Sequence, residues 1–233
     1  MMHEETLADT DAVGRRAAQL VAEHARRAVE GRGRFLLATS GGTTPWRMLR
    51  LLAEEDVPWP RVHLFQVDER VAPDGHPDRN LTHLHESLLV HLPVPPAGIH
   101  TMPVDAPDLE RAAAEYGAVL RDMGGDPPVL DLVHLGLGED GHTASLLPGD
   151  AAAATARADV AATASYAGRR RLTLTVPMIN RARAILWVVT GAAKGAALAR
   201  LRRADRGIPA GRIRRHDATI LNDAAVDLAS LSH

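Results

Sequence analysis

Asp131-Leu-Val-His-Leu-Gly136-Leu-Gly138-Glu-Asp140-Gly141-His142-Thr-Ala-Ser145-Leu-Leu-Pro148 is the stretch whose reading decides the fold. Asp131 to Leu137 concentrates apolar residues over the length of a strand, and Gly136, Gly138 and Gly141 end it abruptly. A strand therefore runs into a glycine loop. Thr143-Ala-Ser-Leu-Leu reads as the first turn of a helix, which puts His142 where the carboxyl edge of a strand meets a helix N-terminus. Ligands bind along that edge in open α/β sheets. Histidine is the side chain suited to proton transfer near neutral pH, and Asp140 stands two residues before it.

The same loop also satisfies G-x-G-x-x-G, the pattern of a dinucleotide site. Its chemistry argues against that use, because Glu139 and Asp140 would aim anionic side chains at a pyrophosphate. The pattern normally opens a chain, and here it lies past the middle.

Working upstream, apolar residues at helical spacing from Thr6 to Val29 predict a covering helix, closed by Gly31 and Gly33. Arg34 to Thr39 is a short apolar strand. Ser40-Gly41-Gly42-Thr43-Thr44-Pro45 follows it, with Thr44 suited to an N-cap and Pro45 to the first helical position. Strand, glycine turn and helix is an arrangement whose backbone N–H groups can converge on an anion, and equally a plain tight turn. It lacks the Gly-Lys-Ser/Thr of a nucleotide-triphosphate loop. Val62 to Val67 is a second strand that delivers Asp68-Glu-Arg70 to the same edge if the sheet is parallel. Leu81 to Leu92 reads as a helix whose His83, His85 and His91 point in different directions, so they suit exposure rather than a metal. Ile99 to Met102 reads as a short strand and Leu109 to Met123 as a helix.

Downstream, Asp150 to Ala167 is alanine-rich and reads as helix or loop. Arg169 to Pro177 alternates as a strand, and three arginines entering a strand are ordinarily solvated. Ala184 to Thr190 is an apolar strand suited to the middle of a parallel sheet. It runs through Gly191 into Lys194, the one lysine in a chain with 27 Lys and Arg together. Such a lysine either occupies a place that wants a compact ammonium or survives on a solvated face. Ala218 to Val226 fits a final strand and helix.

At 233 residues with net charge -2, the chain has the length of one α/β domain spanning 1–233 and no basic field for nucleic acid. It has no cysteine, which excludes disulfides and thiolate chemistry. Neither a signal peptide nor a transmembrane run is apparent, so a cytoplasmic protein without nucleic-acid or membrane partners is the expectation.

Gly136-x-Gly138-x-Asp140-Gly141-His142-Thr-Ala-Ser145-Leu-x-Pro148-Gly149 resembles the hallmark segment of the 6-phosphogluconolactonases, a family similar in sequence to the glucosamine-6-phosphate deaminases. Asp68-Glu-Arg70, His76-Pro-Asp-Arg-Asn80, Arg171 before Leu-Thr-Leu-Thr, and Gly191-x-x-Lys194 match further motifs of that family in order. The resemblance runs from Ser40 to the C-terminal helix. It departs at Arg79 and Asn222, where the family has Ser and Asp, and at Leu147, where it has Phe.

The resemblance implies a three-layer α/β/α sandwich around a mostly parallel, Rossmann-like sheet. It implies hydrolysis of 6-phospho-D-glucono-1,5-lactone, the second step of the oxidative pentose phosphate pathway, without cofactor or metal, by a monomer or homodimer. It also assigns places in the site: His142, Asp140, Asp68 and Arg70 at the reacting end, and Ser40, Gly41, Gly42, Thr43, Asn80, Arg171 and Lys194 around the sugar phosphate. A deaminase is the nearest alternative, although deaminases carry an acid after the Gly-His segment where this chain has Ser145-Leu-Leu-Pro148. A silent sugar-phosphate sensor is the alternative outside enzymes.

Overall fold

The computed structural model describes residues 2–231. In chain order, β1 (His3–Leu7) leads into α1 (Thr10–Arg32), β2 (Phe35–Thr39) into α2 (Thr43–Leu52), and β3 (Val62–Gln66) into a short β4 (Asp68–Arg70), followed by α3 (Asn80–Ser87), β5 (Gly98–His100) and α4 (Leu109–Gly124). The second half runs through β6 (Leu132–Leu135), α5 (Ala151–Ala154), β7 (Val160–Ala162), β8 (Arg171–Leu174), α6 (Val176–Arg181), β9 (Ala184–Val189), α7 (Gly195–Arg202), β10 (Ala218–Asp223) and α8 (Ala224–Ser230).

Among the described residues the main sheet has seven strands in the order β1-β10-β9-β6-β2-β3-β5, each neighbouring pair parallel. Side chains alternate between its faces because the strand period is two. On β2, Phe35 and Leu37 join an apolar layer with Val13 and Val21 of α1 and Met48 and Leu49 of α2. Leu36 and Ala38 join the opposite layer, with Leu109 and Tyr116 of α4 and Leu198 of α7. β9 repeats the pattern, with Trp187 on one side and Leu186 and Val188 on the other. A fully apolar strand is what burial on both faces demands. The architecture is the expected three-layer α/β/α sandwich.

A second sheet, β4-β8-β7, is antiparallel and lies beside the carboxyl edge of the first. The chain enters it just after Val67, whose N–H still donates to Thr39 O of β2 at 3.0 Å and whose O accepts from Leu174 N–H at 2.8 Å. Asp68 and Arg70 therefore belong to this small sheet rather than to the end of β3.

Local chemistry moves several expected boundaries. The first helix begins at Thr10, not Thr6, because Asp9 caps it by accepting the Ala12 N–H at 2.8 Å, while His3–Leu7 pairs with β10 as an edge strand. Gly33, at φ 74°, ends the helix with its N–H on Val29 O. The helix expected over Leu81–Leu92 runs as α3 and then a separate 3-10 turn over Leu89–His91. Of its histidines, His83 is half-buried and stacks on Trp46 at 3.7 Å, while His85 and His91 are exposed. The alanine-rich segment holds α5, β7 and part of the turn that follows. No helix among the described residues is long and apolar enough to cross a membrane.

Candidate active site

The carboxyl edges of β2, β6 and β9, together with the small sheet, enclose a cleft of about 520 Å³. Ser40, Gly41, Gly42, Thr43, Asp68, Arg70, Asn80, Asp140, His142, Arg171 and Lys194 all line it, so residues spread over more than 150 positions of sequence meet in one place. Parallel strands make this convergence possible, since each delivers its following loop to the same edge.

The loop after β6 is not the start of a helix. Gly138 N–H donates to His142 O at 2.8 Å, Leu146 N–H to Thr143 O at 2.9 Å, and Ala144 sits at φ 52°. Pro148 and Gly149 would stop a helix after one turn, and the small sheet captures Ser145 through its N–H on Thr173 Oγ1 at 3.2 Å. The resulting turn presents His142 sideways to the cleft. Its backbone N–H donates to Asp140 Oδ1 at 3.0 Å, and its Nδ1 lies 2.6 Å from the same oxygen. That contact places a ring proton on Nδ1, so that in the neutral imidazole it is Nε2 that carries the lone pair. Partial burial raises the Asp140 carboxyl, but the backbone N–H, charge and ring of His142 outweigh it and hold the group below the usual carboxylate range. Gly138 is required here, because a Cβ on it would stand 2.1 Å from His142 Nδ1.

The β2–α2 loop differs from expectation at both ends. Helix α2 starts at Thr43 with Gly42, at φ 129°, in the cap position. Thr44 does not cap; its Oγ1 meets Thr190 Oγ1 at 2.7 Å and ties the loop to the end of β9. Ser40 is turned inward, its N–H on His134 Nδ1 at 3.3 Å and its Oγ on His134 O at 3.0 Å. Gly41, Gly42, Thr43 and Thr44 line the cleft, and their N–H groups have no acceptor among the described residues. The run of unpaired N–H groups in this loop therefore begins at Gly41 rather than Ser40. A Cβ on Gly41 would lie 2.0 Å from Asn80 Oδ1, so the loop can rest against Asn80 only as glycine.

Lys194 and Arg171 line the same cleft as this loop. Lys194 ends a short 3-10 turn after Gly191. Burial lowers its pKa, and the charges of Glu139 and Asp223 oppose that shift without cancelling it. Arg171 is buried, unlike Arg169 and Arg170, which pair with Asp78 and Glu110. Burial lowers its pKa too, against the charge of Asp68. Both are desolvated cations, whose attraction for an anion is stronger than in water.

Asp68, Ser145 and Arg171 form one buried chain. Ser145 Oγ donates to Asp68 Oδ2 at 2.5 Å and receives Arg171 Nη1 at 3.4 Å, while Asn80 Nδ2 donates to Asp68 O at 2.9 Å. Arg70 is anchored by its Nη1 on Asp78 O at 3.0 Å. Glu69, between the two, faces inward and fully buried, where it accepts the N–H groups of Asn80 and Leu81 at the start of α3, each at 2.8 Å, and Gln66 Nε2 at 2.7 Å. Arg79 joins it with Nε 3.4 Å from Glu69 Oε2, a charge contact without hydrogen-bond alignment, and donates from Nη1 to Ala72 O at 2.8 Å. Asn222, another departure, is buried in β10 and accepts Thr6 Oγ1 at 3.1 Å.

Sequence reasoning missed four residues here. Glu69 stands inside a motif whose recognisable chemistry is carried by its neighbours, and Ser145 stands near Thr143 in its loop with nothing local to single it out. His134 was visible as a lone polar residue in the apolar run Leu132–Leu135. Tyr166 lies in the alanine-rich segment, where nothing in the periodicity pointed to the cleft.

Fold and cleft define an α/β protein with a cleft at the carboxyl edge of its parallel sheet, lined by charges of both signs. Residues 8–221 match the family model described as glucosamine-6-phosphate isomerases/6-phosphogluconolactonase. A 6-phosphogluconolactonase of Synechocystis sp. is 39% identical over 187 residues, 78% of each chain. The human 6-phosphogluconolactonase is 33% identical over 94% of this chain and 90% of its own. The crystal structure of the Thermotoga maritima 6-phosphogluconolactonase superposes with a TM-score of 0.84 at 25% identity, covering 96% of this chain and 99% of that one. A monomeric glucosamine-6-phosphate deaminase has the same fold, with a TM-score of 0.84 at 19% identity over 98% and 100% of the two chains. The chain belongs to the glucosamine-6-phosphate isomerase/6-phosphogluconolactonase family.

Proposed function

We propose that the chain is a 6-phosphogluconolactonase that hydrolyses 6-phospho-D-glucono-1,5-lactone to 6-phospho-D-gluconate, with His142 as general base. The observation that carries the reading is the His142–Asp140 pair, which lines the same cleft as Lys194, Arg171 and the Gly41–Thr43 backbone. A dianionic phosphate needs cations and oriented N–H groups at one end of its pocket, and these residues supply both. The lactone carbonyl then lies toward His142.

In this scheme His142 Nε2 takes a proton from water as the water oxygen attacks C1. The imidazolium, held by Asp140, returns that proton to the ring oxygen as the C1–O bond breaks, and the new carboxylic acid ionises to the medium. Neither metal nor covalent intermediate enters. Arg70 offsets charge developing on the carbonyl oxygen, and Asp68, fixed by Ser145 and Asn80, accepts from sugar hydroxyls. Proton transfer of this kind is worth roughly two to four orders of magnitude in rate.

The test is a coupled assay in which freshly generated 6-phosphogluconolactone is presented to the purified protein and its disappearance is compared with spontaneous opening. Acceleration supports the reading. Release of ammonia from glucosamine 6-phosphate would make the chain a deaminase instead. Binding of 6-phosphogluconate with no acceleration would make it a sensor.

A further inference from the structure

The turn between β7 and β8 has no part in the assignments above, yet it reaches the cleft. Tyr166 N–H donates to Arg169 O at 2.9 Å and Arg169 N–H to Tyr166 O at 3.2 Å, which closes a two-residue hairpin. Both residues inside it have positive φ, Ala167 at 51° and Gly168 at 76°. That is the turn whose twist matches antiparallel strands, and it is strained for a residue with a Cβ.

What the turn holds is Tyr166. The ring lines the cleft and stays 43% exposed, so it is not serving the core. Arg171 Cζ lies 5.0 Å from its centroid, and the His142 ring lies 6.4 Å away, tilted by 60°. The ring therefore stands beside both the cation proposed for the phosphate and the imidazole proposed for the carbonyl. Among the described residues lining the cleft, Tyr166 supplies the one benzenoid face.

We infer that Tyr166 is a substrate-positioning residue: its ring is the wall against which the C–H face of the sugar lactone packs, between the end that grips phosphate and the end that opens the ring. The inference rests on the lactonase reading and deepens it. A six-membered lactone is flattened at C1 and its ring oxygen, and it carries C–H bonds on faces its hydroxyls leave bare. An aromatic face covers such a surface while lateral polar groups take the hydroxyls. Packing there fixes the distance of C1 from His142, so the ring acts on the closed lactone more than on a bare anion.

The experiment compares wild type, Tyr166→Ala and Tyr166→Phe for KM and kcat on freshly made 6-phosphogluconolactone, and for the inhibition constant of inorganic phosphate. Tyr166→Ala is expected to raise KM about 3- to 10-fold, the range of one aromatic packing contact. The phosphate constant is expected to stay within about twofold, and Tyr166→Phe, which keeps the face, to return KM close to wild type. An unchanged KM in Tyr166→Ala would overturn the inference. So would a matching rise in the phosphate constant, which would make the ring a brace for Arg171, or an equal loss in Tyr166→Phe, which would put the hydroxyl to work. A wild-type chain that fails to open the lactone would instead overturn the functional reading itself, an outcome separate from these.

Discussion

His134 makes stability depend on pH in a way that can be measured. It sits on β6 with no exposed surface, its Nδ1 accepts the Ser40 N–H, and its Nε2 has no partner among the described residues. Burial alone pushes its pKa down from 6.5 to about 4. Unfolded, the ring takes up a proton below about 6.5, whereas folded it stays neutral until about 4. Between those values the unfolded chain binds more protons, so stability is fully present above 6.5 and falls with falling pH. At about 1.4 kcal/mol per pH unit the whole window is worth about 3 kcal/mol, a large part of what a domain of this size has. Carboxylates titrate in the same range, so the measurement is a difference between wild type and His134→Asn. The Asn Oδ1 can accept from Ser40 as Nδ1 does, and it does not titrate. Urea unfolding of both proteins at pH 7.5 and pH 4.5 should show wild type losing about 2 to 3 kcal/mol more than the variant. Equal losses would mean that the ring gains its proton as easily folded as unfolded, and the account of Ser40 as turned inward on a neutral imidazole would fall with it.

His142→Ala should lower kcat by roughly two to four orders of magnitude while inhibition by 6-phosphogluconate barely moves; steady-state kinetics with an unchanged kcat would remove the imidazole from the chemistry. Gly41→Ala places a Cβ on Asn80 and should force the cradle outward, raising KM and costing about 1 to 3 kcal/mol in urea unfolding, and a neutral result would mean that the loop yields freely. Arg79→Ala leaves Glu69 buried without its cation and should destabilise the fold by about 3 to 5 kcal/mol, read as a lowered Tm. An unshifted Tm would show that Glu69 is satisfied by its N–H donors alone.

The main sheet was legible because β2, β3, β6 and β9 are buried on both faces, and two-sided burial leaves an apolar run that needs no context. β1 escaped notice for the opposite reason. His3-Glu-Glu-Thr-Leu pairs with β10 on one side only and carries ion-pairing side chains, so its sequence has no strand pattern to read. The helix expected after His142 failed because Thr143-Ala-Ser-Leu-Leu is short enough to serve as helix or turn, and the deciding contact, Ser145 on Thr173, comes from 28 residues away. Ser40 likewise looked like an anion donor until His134, 94 positions later, proved to take both its donors.

The small sheet shows why a motif can be right about position and silent about cause. Asp68 and Arg171 each matched a family pattern on its own stretch, yet neither stretch says that β4 and β8 pair with each other, Asp68 opposite Thr173 and Arg70 opposite Arg171. That register puts two guanidinium groups on neighbouring strands beside the cleft, a repulsion that the fold must tolerate. Asp68 offsets it through Ser145, and the Asp78 backbone draws Arg70 aside. Under the proposed lactonase reading, the phosphate and the carbonyl oxygen gaining charge are the anions this pair would receive. The antiparallel register of β4 and β8, set by backbone pairing between two stretches about 100 residues apart in sequence, is therefore what holds Asp68 and Arg70 at a fixed separation from Arg171.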